Sequence, residues 1–207
     1  MPPKFLYFDL GNVLLNFDHR LACRQMGEVA GVPEQVVWDV VFEGDLEERY
    51  ESGQVDDRGF YEAFCSQTGS RPDYNALLRA GSEIFRANGP ILPIVSHLDA
   101  AGYPMGILSN TCPGHWSYCR APGRYHWLHD CFDVFALSYQ IGVCKPDPKI
   151  FRAAAELASV RPQDIFYVDD IAGHVSAAQA AGFDAVQYTT PARLAADLRE
   201  RGVQFNY

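Results

Sequence analysis

The stretch FLYFDLGNVL at residues 5–14 decides the fold of this chain. Residues 4–10 have the apolar composition of a buried strand, and the run ends in the carboxylate of Asp9, just before the turn residue Gly11. A carboxylate at the end of a strand can attack phosphorus or bind a metal, and a glycine lets backbone N–H groups approach an anion closely. The same residues are also typical of an Asp that caps a turn, so the function needs support from the rest of the sequence.

Apolar runs of similar composition follow at residues 103–109, 134–138, 165–168 and 185–188. Helical patterns alternate with the later runs, at residues 91–101, 149–158, 175–181 and 192–201. A glycine follows three of these helices where a left-handed C-cap would lie, at Gly102, Gly182 and Gly202. This alternation predicts an α/β fold, a doubly wound (Rossmann-like) parallel sheet with right-handed crossovers.

A long segment between the first strand and the helix before the second, residues 16–88, shows no convincing strand pattern. Amphipathic stretches separated by glycine-containing turns predict four helices there, at residues 22–30, 33–42, 57–67 and 74–87. The sequence therefore predicts two units. An α/β core domain covers residues 1–15 and 89–207, and an all-helical domain at residues 16–88 is inserted after the first strand.

Polar residues follow the second predicted strand and precede a later helix. Ser109 and Asn110 can donate hydrogen bonds to phosphate oxygens, although turn residues of these types are common after any strand. Lys145 stands before a proline-rich turn, where a lysine can neutralise phosphate as a point cation. Because open parallel sheets bind ligands at their carboxyl edge, we expect these side chains to lie near Asp9.

Two adjacent carboxylates, Asp169 and Asp170, end the fourth predicted strand. They repel each other unless a cation or a proton compensates, which gives a purely structural role little motivation. Magnesium prefers one or two carboxylates together with water and phosphate oxygens, and Asp9 and Asp170 could offer these ligands. The sequence therefore predicts a Mg²⁺ site.

Taken in order, Asp9, Ser109, Lys145 and the Asp169–Asp170 pair resemble the four motifs of the haloacid dehalogenase superfamily. The resemblance covers essentially the whole chain. Within the superfamily, the segments FDLGNVL, LSNT, CKPDP and DD are similar to those of the bacterial α-D-glucose-1-phosphate phosphatase group, close to the phosphatase domain of soluble epoxide hydrolase.

This resemblance implies a magnesium-dependent phosphatase that forms an aspartyl-phosphate on Asp9, with a small phosphorylated metabolite, such as a sugar phosphate, as substrate. It implies catalysis by Asp9, Ser109 and Lys145, substrate binding by Gly11 and Asn110 beside Ser109, and magnesium ligation by Asp9, Gly11, Asp170 and, as a further candidate, Asp169. It also implies that residues 16–88 form a cap that closes over the site.

The chain departs from the superfamily pattern at two positions. Many relatives carry a second Asp two residues after the nucleophile, as general acid and base, where this chain has Gly11. General acid–base catalysis is typically worth about 10² to 10⁴ in rate, so we expect a substrate with a good leaving group or a modest turnover. His174 stands where many relatives place Asp or Asn, and either His174 or Asp169 could activate the hydrolytic water.

Three alternatives stay open at this point. Gly11 is also compatible with a 2-haloacid dehalogenase, which displaces halide without a second Asp, although the acidic pair would then lack a cation. A site without its general acid could also belong to a non-catalytic binding protein. The histidines and cysteines of residues 112–131 could hold zinc, but their spacing matches no paired zinc motif.

Composition narrows the partners and the compartment. The net charge of −9 over 207 residues argues against a broad basic surface for nucleic acid. No stretch approaches the roughly 20 apolar residues of a membrane span, and the N-terminal apolar segment is too short and too acidic for a secretory signal. Six scattered cysteines are typical of reduced thiols, so we expect a cytoplasmic protein, either a monomer or a homodimer.

Overall fold

The computed structural model describes residues 2–206. In it, the first four residues of the stretch at positions 5–14 form the central strand of a parallel sheet. The strands are β1 (Phe5–Phe8), β2 (Leu15–Asn16), β3 (Arg86–Ala87), β4 (Met105–Ser109), β5 (Val134–Leu137), β6 (Ile165–Asp169) and β7 (Asp184–Gln187). Five of them form one sheet in the order β5-β4-β1-β6-β7, and all neighbouring pairs in it are parallel. The predicted α/β fold is confirmed.

Twelve α-helices are assigned within residues 2–206. They are α1 (His19–Ala30), α2 (Glu34–Trp38), α3 (Leu46–Glu51), α4 (Asp57–Thr68), α5 (Tyr74–Ser82), α6 (Leu92–Ala100), α7 (Pro113–Cys119), α8 (Trp127–Asp130), α9 (Ser138–Ile141), α10 (Pro148–Ala158), α11 (Ala172–Ala180) and α12 (Pro191–Glu200). Short 3₁₀ turns lie at Gly89–Ile91 and Pro162–Asp164. None of the helices in the described part has both the length and the apolar composition that a membrane span requires.

The central strand is apolar on both sides because helices cover both faces of the sheet. Leu6 and Phe8 pack into one cluster with residues of α6 and α12, whereas Phe5 and Tyr7 pack into a second cluster with residues of α10 and α11. All four side chains of β1 are buried. Successive side chains of a strand point to opposite faces, so the continuous apolar run is explained by burial of both faces.

Helices α1 to α5 pack around a third apolar cluster that includes Met26, Phe64 and Leu77. At the base of this helical segment, β2 pairs with β3 as a short antiparallel ribbon, with Leu15 opposite Ala87. Two residues per strand are too few to show an alternating pattern, so the expectation of an entirely helical segment was wrong at this point. The division into a core at residues 1–15 and 89–207 and a cap at residues 16–88 stays our proposal.

Several predicted helix and strand ends also differ from the observed ones. The helix expected at residues 33–42 is split into α2 and a π-helical turn at Asp39–Glu43, and the helix expected at residues 74–87 ends at Ser82. The third sheet strand ends at Leu137, and Ser138 begins α9. Helix α3, which was not predicted, follows the π-helical turn.

Candidate active site

The carboxyl edge of the sheet brings the predicted site residues together. β1 leads into Asp9, β4 ends at Ser109, and β6 ends at Asp169. One cavity at this edge is lined by Asp9, Gly11, Asn110, Lys145 and Asp170, among others. Ser109 lines an adjoining cavity that shares Gly11 and Asn110 with the first.

Lys145 is the central cation of the site. Its Nζ lies 2.9 Å from Asp9 Oδ1 and 2.7 Å from Asp169 Oδ2, and it also donates to the Leu108 carbonyl at 3.2 Å and the Tyr167 hydroxyl at 3.0 Å. Burial opposes its charge, but the two carboxylates raise the pKa of Lys145 above its usual value. The ammonium group is therefore charged and fixed between two carboxylates.

Asp9 is buried, and only one of its two carboxylate oxygens, Oδ1, is engaged by neighbouring groups of the described residues. Its Oδ1 accepts hydrogen bonds from the Leu10 N–H at 2.7 Å and from Lys145. No residue within 2–206 donates to Oδ2. Burial and the nearby charges of Asp169 and Asp170 raise the pKa of the Asp9 carboxyl, while Lys145 lowers it. A carboxylate with one oxygen held and the other unengaged has the form of an oriented nucleophile.

Asp169 is saturated with hydrogen-bond donors. Besides Lys145, Tyr167 donates its hydroxyl to Oδ2, the Ile171 N–H donates to Oδ1 at 2.8 Å, and His174 Nδ1 lies 3.2 Å from both oxygens. Burial opposes ionisation, but the bonds from His174, Lys145 and Tyr167 hold the pKa of Asp169 well below its usual value. Asp169 is thus an ionised carboxylate that orients Lys145.

Asp170 is more open than Asp169. Its Oδ2 accepts a hydrogen bond from Asn12 Nδ2 at 3.2 Å, and burial raises its pKa. Ligand oxygens of Asp9, Asp169 and Asp170 lie within 4.8 Å of one another, and these three residues form the only such group in the described part of the chain. The residues fit a divalent cation: the three clustered carboxylates have one lysine beside them, which pairs with Asp9 and Asp169, and oxygens of Asp9 and Asp170 remain unengaged by the described residues.

The polar side chains after β4 hold the loop that carries Lys145. Asn110 Oδ1 accepts from the Lys145 N–H at 2.7 Å, and Asn110 Nδ2 donates to the Lys145 carbonyl at 3.0 Å. Ser109 Oγ lies 3.1 Å from the Asn110 carbonyl. One amide hydrogen of Asn110 therefore positions Lys145, and the other has no acceptor among the described residues.

Gly11 faces an aromatic ring. A Cβ placed on Gly11 would lie 2.7 Å from Phe17 Cε1, which is closer than real side-chain contacts allow. Phe17 in turn stacks on His19, with ring centroids 4.8 Å apart. Phe17 and His19 both line the cavity that contains Asp9. The space that a second Asp would enter is therefore occupied by the ring of Phe17.

The opposite wall of the cavity contains residues that sequence reasoning missed. Glu47 and Glu51 of α3 line the same cavity as Asp9 and Lys145. His115 of α7 lines the two neighbouring cavities together with both glutamates. The only sequence signal was the spacing of four between two glutamates, which also occurs on many solvent-facing helices.

The cysteine- and histidine-containing segment has no zinc-like arrangement. Residues 112–131 form α7, α8 and the turns between them, and the carboxylate group around Asp9 is the only candidate metal cluster in residues 2–206. Arg120 binds the His129 ring, at 3.1 Å from Nε2, and Cys119 is buried in the apolar core.

A buried carboxylate, a lysine and an acidic pair at the carboxyl edge of a parallel sheet define a hydrolase site that suits an anionic substrate. The model of the haloacid dehalogenase-like hydrolases matches residues 4–182. The chain belongs to this family.

Relatives in the family include phosphatases and a dehalogenase. A phosphatase of Mycobacterium tuberculosis is 27% identical over 192 residues, which cover 86% of this chain and 83% of the relative. The D-ribitol-5-phosphate phosphatase of Bacteroides thetaiotaomicron is 33% identical over 88 residues, 41% of this chain and 43% of the relative. An (S)-2-haloacid dehalogenase of a Pseudomonas species is 32% identical over 113 residues, 55% of this chain and 48% of the relative.

Solved structures show the same fold. A haloacid dehalogenase family enzyme of Bacteroides thetaiotaomicron, in complex with magnesium and inorganic phosphate, aligns with a TM-score of 0.80 at 23% identity, over 91% of this chain and 95% of that one. The L-2-haloacid dehalogenase of Xanthobacter autotrophicus aligns with a TM-score of 0.64 at 21% identity, over 99% of this chain and 85% of that one. At these identities the likeness concerns the fold alone.

Proposed function

We propose that this chain is a Mg²⁺-dependent phosphohydrolase that acts on a small phosphorylated metabolite through an aspartyl-phosphate on Asp9. The observation that carries the proposal is the arrangement of Asp9: Oδ1 is held by Lys145 and the Leu10 N–H, while Oδ2 faces no donor from the described residues. Phosphatases among the relatives, and a neighbouring structure that contains magnesium and phosphate, support the same reaction class.

The protein's own residues account for the first step. Asp9 Oδ2 attacks the phosphorus in line with the leaving oxygen, and the phosphoryl group passes to the Asp9 carboxylate. Lys145 lies beside Oδ1, where its charge stabilises the equatorial phosphate oxygens, and the remaining amide hydrogen of Asn110 donates to them. The Ser109 hydroxyl, which donates to the Asn110 carbonyl in this structure, would turn from it to donate to the same phosphate oxygens. Asp169 keeps Lys145 charged and in place.

Asp9, Asp170 and the Gly11 carbonyl are the proposed ligands of the magnesium ion. When bound, the ion supplies positive charge for the phosphate oxygens and balances the carboxylates that share the site. Asp169 was also a candidate ligand from the sequence. Because both of its oxygens already accept hydrogen bonds, we assign it instead to positioning Lys145.

The second step is hydrolysis of the aspartyl-phosphate by water. His174 lines the cavity with its Nδ1 toward Asp169, which makes it the better placed of the two candidate groups to orient that water. Asp169 is ionised but has no acceptor site left for a water molecule. With Gly11 in place of the usual acid, the core, within the described residues, offers no side chain to protonate the leaving oxygen, which suits a substrate with a good leaving group, such as a sugar 1-phosphate.

We further propose that residues 16–88 act as the cap over this site, because Glu47 and Glu51 of that segment form one wall of the cavity. A cytoplasmic location, as a monomer or a homodimer, fits the six cysteines, all of which are free thiols.

A 2-haloacid dehalogenase is the second candidate, favoured by the partial match to the Pseudomonas enzyme. Its substrate carries a carboxylate that needs a cation. Lys145 is the only Lys or Arg lining the cavity in the described part, and two carboxylates already engage it. The charge balance therefore favours a site completed by a metal ion and a phosphate.

The experiment that tests the proposal measures inorganic phosphate released from p-nitrophenyl phosphate and from a panel of sugar phosphates, with Mg²⁺ or with EDTA. We expect release with Mg²⁺ and at least about a hundredfold loss with EDTA. Halide release from haloacids, without phosphate release from any ester, would support the dehalogenase instead.

A further inference from the structure

Three neighbouring cavities, here called the chamber, are all lined by Glu47 and Glu51 and extend from Asp9 beneath the helical segment. The chamber lining contains more carboxyl side chains than Lys or Arg side chains. Glu47 and Glu51 lie one turn apart on α3, and both line the cavity of Asp9 and Lys145 as well as the two cavities that extend beneath the helical segment. Residues four apart on a helix share a face. Glu48, between them, is exposed to solvent on the outer side of the helix.

Among residues 2–206, no Lys or Arg forms an ion pair with Glu47 or Glu51. The nearest basic atom to Glu47 is His19 Nε2, 3.8 Å from Oε1, and no residue within 2–206 forms an ion pair with Glu51. Burial raises the pKa of both carboxyls, and the charge of each neighbouring acid adds to the effect, that of Glu51 on Glu47 and that of Asp9 on Glu51. Lys145 partly opposes this shift at Glu51.

Other groups around the chamber do not supply the missing positive charge. Burial lowers the pKa of His115 to about 4, and burial also lowers the pKa of His19, so both rings are neutral at pH 7. Of the residues described, Lys145 is the only Lys or Arg that lines any of the three cavities, and it is held between Asp9 and Asp169.

The position of α3 is fixed by contacts with the core. The Tyr50 hydroxyl accepts a hydrogen bond from the Gly114 N–H of α7 at 3.1 Å and donates to Asp57 of α4. Tyr50 is buried and stands directly before Glu51. The two glutamates are therefore held at the chamber wall by packing, not by ion pairs.

We propose that Glu47 and Glu51 select the leaving group of the substrate: a phosphomonoester whose leaving group offers hydrogen-bond donors, hydroxyl or ammonium, and carries no second anionic group. The proposal rests on the proposed phosphatase function. A donor near the carboxyls satisfies their buried acceptor oxygens. A second phosphate or carboxylate meets two negative charges and no cation once Glu47 and Glu51 are ionised, above their raised pKa values of about 8 and about 7. Bisphosphates, phosphorylated acids and haloacids are all disfavoured by this rule.

The test uses three phosphomonoesters of similar size that differ in charge: glycerol phosphate, phosphoethanolamine and phosphoglycerate. For the native protein with Mg²⁺ at about pH 9, above the pKa of about 8 for Glu47 and of about 7 for Glu51, we expect kcat/KM for glycerol phosphate to exceed that for phosphoglycerate by about a hundredfold, because both carboxylates then repel the second anion. A rate with phosphoethanolamine above that with glycerol phosphate would assign the donor as ammonium, and the reverse order would assign it as hydroxyl.

The variant Glu47→Gln/Glu51→Gln keeps the shape of the wall and removes the two charges that the carboxyls carry at about pH 9. We expect it to narrow the preference for glycerol phosphate over phosphoglycerate to about tenfold or less, mainly by raising kcat/KM for phosphoglycerate. Glu48→Gln, on the solvent side of the same helix, is the matched control and should keep the native preference.

Two results would overturn the proposal: a native protein that hydrolyses phosphoglycerate as well as glycerol phosphate, or a folded double variant with an unchanged preference. The first needs no variant, so a misfolded double variant leaves the proposal testable. If the chain is not a phosphatase at all, the same assay gives a different result, because none of the three phosphomonoesters would then release phosphate.

Discussion

The ring of Phe17 fills the space in front of Gly11: a Cβ on Gly11 would lie 2.7 Å from Phe17 Cε1. A second Asp at this position, as many relatives have, would have to displace a ring that stacks on His19 and lines the cavity. The observed position of the Phe17 ring therefore requires a residue without a Cβ at position 11.

This contact predicts that adding the missing acid does not raise activity. We expect Gly11→Asp and Gly11→Ala to lower kcat/KM to a similar extent, about tenfold or more, because both introduce the Cβ that meets Phe17. The control is Gly89→Ala, since a Cβ there meets no atom within 4 Å. A clear gain in kcat for Gly11→Asp would contradict this expectation. It would show that the Phe17 ring moves aside and that the new carboxyl acts as a general acid.

Lys145 is expected to support both activity and stability. Lys145→Met removes the charge between Asp9 and Asp169, and we expect kcat to fall by about 10³. Breaking a buried ion pair from one side typically costs about 3 kcal/mol, so the free energy of unfolding, measured in EDTA, should fall by that order.

The pH dependence of this loss has a definite sign. Without Lys145 the two carboxylates face each other, and protonation of Asp9 relieves their repulsion, so the loss should be smaller at about pH 5 than at about pH 8. Lys149→Met, at an exposed lysine of the same segment, should change neither quantity. An equal loss at both pH values would argue against this electrostatic account.

Asp169 and Asp170 are expected to differ in their relation to magnesium. Asp170→Asn should raise the Mg²⁺ concentration needed for half-maximal activity by at least about tenfold, because a ligand oxygen loses its charge. Asp169→Asn should mainly lower kcat, since Asp169 binds Lys145 and the Tyr167 hydroxyl. A Mg²⁺ titration of each variant separates the two effects, and a larger shift for Asp169→Asn would reverse the assignment.

The chamber glutamates should make stability depend on pH. Burial raises the pKa of Glu47 and Glu51 in the folded state above the unfolded value, so their contribution to stability is largest in acid and is lost as pH rises toward neutrality. Replacing both with Gln removes this loss. In EDTA we expect Tm to rise by several degrees at about pH 8 and by little at about pH 5.

Glu48→Gln serves as the control for this measurement, because Glu48 is exposed and its substitution should leave Tm unchanged at both pH values. A Tm of the double variant that stays at the native value at about pH 8 would mean that solvent reaches both carboxyls freely.

The sheet and the core of the site could be predicted because each depends on local signals. The apolar run of β1 requires burial of both faces, and the ends of β1, β4 and β6 necessarily meet at one edge of a parallel sheet. Asp9, Ser109 and Asp169 are therefore neighbours in any chain with this strand order. Lys145 was predicted from the motif resemblance as much as from its own surroundings.

The cap wall could not be predicted in this way. Glu47 and Glu51 reach the site through tertiary contacts of α3, which include apolar packing and the hydrogen bond from the Gly114 N–H of α7 to the Tyr50 hydroxyl, between residues 64 positions apart. The contact between Gly11 and Phe17 is equally invisible in sequence, since it depends on how the turn after β1 folds back. Two-residue strands such as β2 and β3 are also below the length at which alternation shows.

The most direct test of the central claim compares phosphate release by the native protein with that of Asp9→Asn, both with saturating Mg²⁺. Asp99→Asn, at an exposed residue of α6, is the matched control, and thermal melts confirm that all three proteins are folded. The nucleophile assignment predicts that Asp9→Asn loses at least about 10⁴ of the native rate while the control keeps it. Release by a folded Asp9→Asn variant within about tenfold of the native rate would contradict it, because phosphoryl transfer would then not pass through Asp9.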